Sequence, residues 1–345
     1  MVSSFVWGAQ ETQYFNTLTP EHVLEAVENF GYRTTGRVMQ LNSMENRVYE
    51  VEIELDEEPD SVSEKFRIVK FYRPGRWNKD QILEEHEFLW DLTDREIPAI
   101  APLKNPEGQT LMQNEQGLYF TLFPKQGGRE CDEWTDPLLE QMGRLLARLH
   151  STGAAKVAKH RVKLDIENYG EKNLEFLLKS NKIPAEYSSS YEALAKQIFT
   201  ISSPLFKGIN YQRVHGDCHH GNVLLGSTGP FLIDFDDMVI GPKVQDIWMI
   251  IPGRDEYSIR QRNILVDSYL EMGDFNRAEL KLIETLRALR MIHFSSWIAH
   301  RYEDQSFKRA FPTFGSSQYW EKELHDLREQ ISNIQDNLDQ MNYMY

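Results

Sequence analysis

Two periodicities divide the chain. From residue 37 to about 124, apolar and polar residues alternate in short runs, the period-two pattern of half-buried strands. RVMQLNSMENRVYEVEIEL (37–55) holds two such runs around a polar turn, Asn42 to Asn46. KFRIVKFYRP (65–74), rich in β-branched and aromatic residues and closed by Pro74, reads as a third strand after the acidic turn DEEPDSVSE (56–64). A helix interrupts the series. Asn78 with Gln81 three residues on is the capping signal for QILEEHEFLWDL. QTLMQ (109–113) and GLYFTLFP (117–124) then flank Asn114-Glu115-Gln116 as a further hairpin.

Beyond KQGGRE (125–130) the period lengthens. Leu138, Met142, Leu145 and Leu149 recur at helical spacing and predict a core-facing stripe, with Gly153 as the helix stop. Helical patterns continue to the end, except from Val214 to Asp234, where NVLL, GSTG and PFLID read as a short hairpin. The predicted class is α+β and bilobal. A small β-rich N-terminal lobe (1–123) joins a larger helical C-terminal lobe (124–345) at a hinge near Phe123 to Gly128. No internal repeat or low-complexity tract stands out.

Composition narrows the function classes. The 345 residues are 41% hydrophobic and 26% charged, enough for two core-forming units. A net charge of −15 disfavours nucleic acid and anionic membrane surfaces and leaves small molecules or protein segments as partners. No apolar run approaches the roughly 20 residues that span a bilayer. MVSSFVWGAQETQYF at the start has neither a basic leader nor a long apolar segment. Two cysteines, Cys131 and Cys218, are too few to staple such a chain. The expectation is a reduced, cytoplasmic monomer that binds neither nucleic acid nor membrane.

The densest chemistry lies in VHGDCHHGNVLL (214–225). A metal centre built from His215, Cys218, His219 and His220 would need several ligands from six consecutive residues. Neighbouring side chains in turn backbone point apart, and no second cluster completes a tetrahedral set. Phosphoryl transfer fits the spacing better. It needs a carboxylate to orient a hydroxyl and take its proton, and oxygen ligands for Mg²⁺ on the nucleotide phosphates. Asp217 suits the first task. Asn222 and Asp234, at the two ends of the predicted hairpin, suit the second. His215 is assigned to loop shaping through backbone hydrogen bonds, while Cys218, His219 and His220 receive no role.

The remaining parts are sought upstream. Lys70, in the apolar run FRIVKFY, calls for an anionic partner. Ile82, Glu85, Leu89 and Leu92 share one helix face, so Glu85 sits on an apolar stripe and is preferred over Glu84 as that partner. Glu84 and Glu87 lie off the stripe and read as solvated. No G-x-G-x-x-G is present. The turn Asn42 to Asn46 takes its place, with backbone N–H groups and the Ser43 hydroxyl available to a phosphate.

HGDCHHGN with FLIDFDD, then Gly241 and Asp246 in GPKVQDIW, resembles the aminoglycoside phosphotransferase and choline kinase group of the protein-kinase-like fold. LNSMENRVYEVE, VKFYRPGRWNKDQILEEHEFLWDL, GPKVQDIWM and the closing MY are similar to the bacterial stress response kinase A family, over nearly the whole chain and least at about 155–210. That resemblance implies a cytoplasmic serine/threonine protein kinase of stress protection that uses ATP and Mg²⁺. It implies Asp217 as proton acceptor, and Asn222 and Asp234 as metal ligands. Ser43 falls at an ATP-contact position, and Lys70 and Glu85 at the strand lysine and helix glutamate. Asp246 would brace the catalytic loop, and the backbone from Leu122 to Pro124 would meet adenine. Residues 235–245 leave no room for a long activation segment, so regulation by a phosphorylated activation loop is not expected. A small-molecule hydroxyl kinase shares every catalytic part, and a nucleotide-binding pseudokinase is the third reading.

Overall fold

In a computed structural model the described residues are Phe15 and 18–342. The opening MVSSFVWGAQETQY and the closing Met344-Tyr345 lie outside them. The N-terminal part consists of α1 (Pro20–Glu28), β1 (Thr34–Gln40), β2 (Arg47–Ile53), β3 (Phe66–Phe71), α2 (Lys79–Thr93), β4 (Met112–Gln113) and β5 (Tyr119–Pro124). The strands form one antiparallel sheet in the order β1-β2-β3-β5-β4. Strand alternation decides what each face does. Val51, Val69, Phe71, Phe120 and Leu122 face a core completed by Val23, Ala26 and Val27 of α1. Val48, Glu50, Ile68 and Lys70 face the opposite way, into a cavity.

The expected strand over 109–113 is shorter, because Gln109 spends both backbone groups on Asn105. Its N–H donates to Asn105 Oδ1 and its carbonyl accepts from Asn105 N, so the ladder begins at Met112. The capping of α2 is as expected. Asn78 Oδ1 accepts from Gln81 N at 2.9 Å, and Gln81 Oε1 accepts from Asn78 N at 3.0 Å.

The rest is mainly helical. In chain order it comprises β6 (Arg129–Glu130), α3 (Asp136–Ala154), α4 (Lys172–Lys179), α5 (Ala185–Ser202), β7 (Gln212–Val214), β8 (Val223–Gly226), β9 (Gly229–Leu232) and β10 (Val239–Gly241). These are followed by α6 (Val244–Ile250), α7 (Glu256–Leu270), α8 (Ile283–Arg301), α9 (Gln305–Ala310) and α10 (Ser317–Asn342). One core joins α3, α6 and α7 to the loops after β7 and β9. A second joins α4, α5, α8 and α10. The predicted hairpin is β8 and β9, paired from Val223–Leu232 to Gly226–Gly229. Among the described residues no helix is long and apolar enough to cross a membrane.

Two helix readings shift. Met142, Leu145 and Leu149 are buried, but Leu138 is half-buried and Leu139 and Leu146 complete the stripe. Gly153 does not stop α3, which runs on to Ala154. Glycine is needed there because a Cβ would stand 2.1 Å from the Arg213 carbonyl oxygen, where α3 crosses β7. Gly143→Ala would likewise meet the Leu265 carbonyl at 2.2 Å. Gly153→Ala is therefore expected to destabilise by about 1–3 kcal/mol or more despite its better helix propensity, measured as a lower urea midpoint. An unchanged midpoint would contradict this close contact.

Candidate active site

The cavity between the sheet and the helical part has a volume of about 770 Å³, and Ser43, Lys70, Glu85, Asp217 and Asp234 line it, while Asn222 and Asp246 do not. Lys70 reaches it from the middle of β3, paired on one side with Val48 and on the other with Thr121. Its ammonium lies 3.5 Å from Glu85 Oε1, 3.0 Å from Asp236 Oδ1 and 3.5 Å from Asp234 Oδ1. Burial opposes the charge on Lys70, but Asp236 and Glu85 outweigh it and raise the pKa well above the ordinary value.

Glu85 is 1% exposed and shares its other oxygen with Arg161 Nη2 at 2.9 Å. The choice of Glu85 over Glu84 thus matches the geometry, but the reading of Glu84 as solvated does not. Its carboxylate accepts the backbone N–H groups of Lys159, His160 and Arg161 at 2.5, 2.9 and 2.7 Å. Glu84 ties α2 to the segment that delivers Arg161 to Glu85. Glu87 is exposed and pairs with Lys156 at 3.0 Å.

The loop after β7 carries Asp217. Its shape comes from Asp246, whose carboxylate accepts from the N–H groups of His215 and Gly216, both at 2.9 Å. His150 Nε2 holds the same carboxylate at 2.9 Å. Gly216 has φ +85°, and a Cβ there would lie 2.2 Å from the Asp237 carbonyl oxygen, so no other residue fits without movement. His215 Nε2 donates to the Ile233 carbonyl at 2.9 Å, the loop-shaping role expected. The four residues of the rejected metal cluster diverge. Cys218 is buried in the core, His220 packs edge-on against Trp134, and His219 Nδ1 accepts from Gly221 N. Burial pushes the Cys218 thiol well up, the opposite of the lowered pKa of a reactive cysteine.

Asn222 and Asp234 are brought together by the ribbon, since Val223 pairs with Leu232 and Ile233 N donates to the Asn222 carbonyl. Asn222 Nδ2 donates to the Asp217 carbonyl at 2.9 Å, which fixes the amide and leaves its side-chain oxygen as an acceptor. Asp234 has φ 59° and ψ 66°, a left-handed backbone that costs a non-glycine residue about 1–3 kcal/mol and here turns its half-exposed carboxylate toward Lys70. Oxygen donors of this kind suit a hard divalent cation.

Several site residues were not found in the sequence. Arg76 bridges Asp236 and Asp237 with two guanidinium nitrogens. Arg290 of α8 lies 2.8 Å from Asp217 Oδ1. Burial alone would raise the Asp217 carboxyl, but Arg290, His219 and His215 bring it below the ordinary value. Glu45, in the turn beside Ser43, is held by Arg301 at 2.6 Å. Burial would raise its carboxyl as well, yet Arg301, Arg76 and Arg73 hold it at about 2. Arg76, Asp236 and Asp237 lay within quoted strings, RPGRW and FLIDFDD, but Arg290 carried no local signal at all. Of the expected adenine-contact backbone, Phe123 and Pro124 line the cavity, while the Leu122 carbonyl accepts from Leu103 N at 2.7 Å.

Residues 38–283 match the APH phosphotransferase enzyme family. Stress response kinase A of Escherichia coli strain K12 is 35% identical over 332 residues, 96% of this chain and 98% of that protein. Serine/threonine protein kinase RdoA of Salmonella typhimurium strain LT2 is 33% identical over the same shares of both chains. Among solved structures, amicoumacin kinase hAmiN in complex with AMP-PNP, Ca²⁺ and Ami superposes with a TM-score of 0.70, at 19% identity over 94% of this chain and 95% of that one. A microcompartment-associated aminopropanol kinase gives 0.64, at 16% identity over 93% and 98%.

The buried charges predict a stability difference. Glu85→Gln leaves Lys70 and Arg161 short of a counter-charge and should cost about 3–5 kcal/mol in urea unfolding. Glu87→Gln, at an exposed pair, should cost less than about 1 kcal/mol. Equal losses would contradict the role given to Glu85.

Proposed function

The chain belongs to the APH phosphotransferase enzyme family, among relatives named stress response kinase A, and from that premise we propose that it is an ATP- and Mg²⁺-dependent serine/threonine protein kinase. The observation that carries the chemistry is the convergence of Asp217, Asp234, Lys70 and Ser43 on one cavity of nucleotide size, with Asn222 hydrogen-bonded to the Asp217 carbonyl just behind its wall. The nucleotide lies between the two lobes, 1–123 and 124–345, with its phosphates between the Ser43 turn and Lys70.

Lys70 neutralises phosphate charge, and Glu85 with Asp236 fixes where it does so. Asp217 orients the acceptor hydroxyl and accepts its proton as the hydroxyl oxygen attacks the γ-phosphorus. The bond from that phosphorus to the β,γ-bridging oxygen breaks, and ADP leaves with the electron pair. Arg290 keeps Asp217 ionised and able to take the proton. Asn222 and Asp234 are the oxygen donors that would hold Mg²⁺, which when bound offsets charge on the phosphates. Asp246, buried and out of the cavity, is a positioning residue for the Asp217 loop.

Residues 235–245 form a short turn, β10 and the start of α6, so the cleft has no activation segment to be ordered by phosphorylation. The protein acceptor is supported by curated relatives that match at 33–35% identity over nearly the whole chain. A small-molecule acceptor is the second reading, favoured by the two structural neighbours, an amicoumacin kinase and an aminopropanol kinase. The protein acts as a cytoplasmic monomer, with ATP and a hydroxyl-bearing protein as its partners.

Incubation with γ-labelled ATP, Mg²⁺ and either protein acceptors or a metabolite panel tests the reading. Label is expected on protein serine or threonine, and transfer to a metabolite alone would overturn it. Asp217→Asn should keep nucleotide affinity within about threefold and lower transfer by about 10²–10⁴. Asp234→Asn should weaken Mg²⁺-dependent ATP binding as well, read by calorimetry with and without the metal.

A further inference from the structure

The turn between β1 and β2 lies over the cavity where many kinases place a glycine-rich loop. Here residues 41–46 contain no glycine, and none of them adopts a left-handed backbone. The turn is instead held from outside. Arg301, the last residue of α8, grips the Glu45 carboxylate with two nitrogens, Nη2 at 2.6 Å and Nε at 2.8 Å. The Trp297 indole N–H, one turn earlier on α8, donates to the same carboxylate at 2.8 Å. From the sheet side, Arg73 Nε donates to the Glu45 carbonyl at 2.8 Å, and the Arg73 N–H donates to Asn46 Oδ1 at 3.0 Å. The Arg73 guanidinium pairs in turn with Asp304 at 3.1 Å, just before α9. Glu45 and Arg301 are 256 positions apart, so the contact joins segments far apart in the chain.

We propose that the Glu45–Arg301 ion pair is a latch between the sheet and the helical part. It fixes the phosphate-covering turn over the cavity before nucleotide arrives. Three features carry the assignment. The grip is two-pronged and buried, the geometry in which an arginine–carboxylate pair is most directional. Glu45 gathers donors from both parts of the chain rather than from its own hairpin. And α8 itself lines the cavity, with Arg290 at Asp217 and Arg301 at the turn, eleven residues and about three helical turns apart. One helix therefore sets the separation between the candidate base and the roof of the phosphate site. Glu45 and Arg301 are positioning residues in this account, which rests on the reading of the cavity as an ATP site.

The test compares wild type with Glu45→Gln and Arg301→Gln. Without nucleotide, hydrogen exchange of the amides of residues 41–46 should quicken at least about tenfold, with α5 and α10 unchanged. In steady state, KM for ATP should rise about tenfold while kcat at saturating ATP falls less than about threefold. Arg301→Lys, which keeps the charge and loses the fork, should show the same changes to a smaller extent, and it serves if a glutamine variant fails to fold. Unchanged exchange in the turn, or an unchanged KM, would overturn the latch. Wild-type protein that binds no ATP would overturn the reading of the cavity instead, and exchange measured without nucleotide keeps the two failures apart.

Discussion

The Lys70 ammonium is buried among Glu85, Asp234 and Asp236, and the rest of the site is arranged around that contact. A charge removed from water is tolerable only when counter-charges are fixed beside it. Each of the three carboxylates is carried by a different requirement of the fold. Glu85 sits on the buried face of α2 and is shared with Arg161. Asp236 is shared with Arg76, in the loop that leads into α2. Asp234 alone is half-exposed, on a strained backbone at the end of β9. The first two hold the lysine in a buried ionic frame, and the third, the proposed metal ligand, stands exposed beside that frame.

The same frame joins the two parts of the chain. Arg76 belongs to the N-terminal segment, while Asp236 and Asp237 belong to the loop after β9. Arg161 reaches back from the helical part to Glu85 on α2 and donates to the Asp236 carbonyl at 2.7 Å. The cavity is thus bordered by contacts that cross it, and hydrophobic packing serves mainly to fix the elements that bear the charges. Met142, Leu146 and Leu149 of α3 illustrate this. They pack the core beneath β7, and His150 on the same helix holds Asp246, which in turn holds the loop of Asp217.

How much of this was legible in the sequence depended on range. The HGD…N…D spacing and the Lys70–Glu85 pairing were readable, because a single hairpin or one strand and the following helix brings those residues together. The phase of α2 selected Glu85 correctly, since burial follows helix periodicity. The role of Glu84 is not legible in the same way, because its partners, the N–H groups of residues 159–161, lie some 75 positions away and periodicity says nothing of them. Gly153 reads as a stop in the sequence because glycine ends helices more often than it permits a crossing, whereas the close Arg213 carbonyl is what requires it here. Arg290 and Arg301 gave no sign, being ordinary arginines on a long helix until tertiary packing aims them at Asp217 and Glu45.

In the proposed mechanism a fixed ionic frame, and not the proposed metal ligands alone, sets the rate of phosphoryl transfer. Asp236 tests it most directly, because it pairs with both Lys70 and Arg76 and is assigned no contact with metal or acceptor. The measurement is the single-turnover rate of transfer from Mg²⁺-ATP by Asp236→Asn, on protein shown by circular dichroism to keep its fold. A fall of about 10²-fold or more is expected, since a phosphate-neutralising group loses its fixed position. A rate within about threefold of wild type would contradict it.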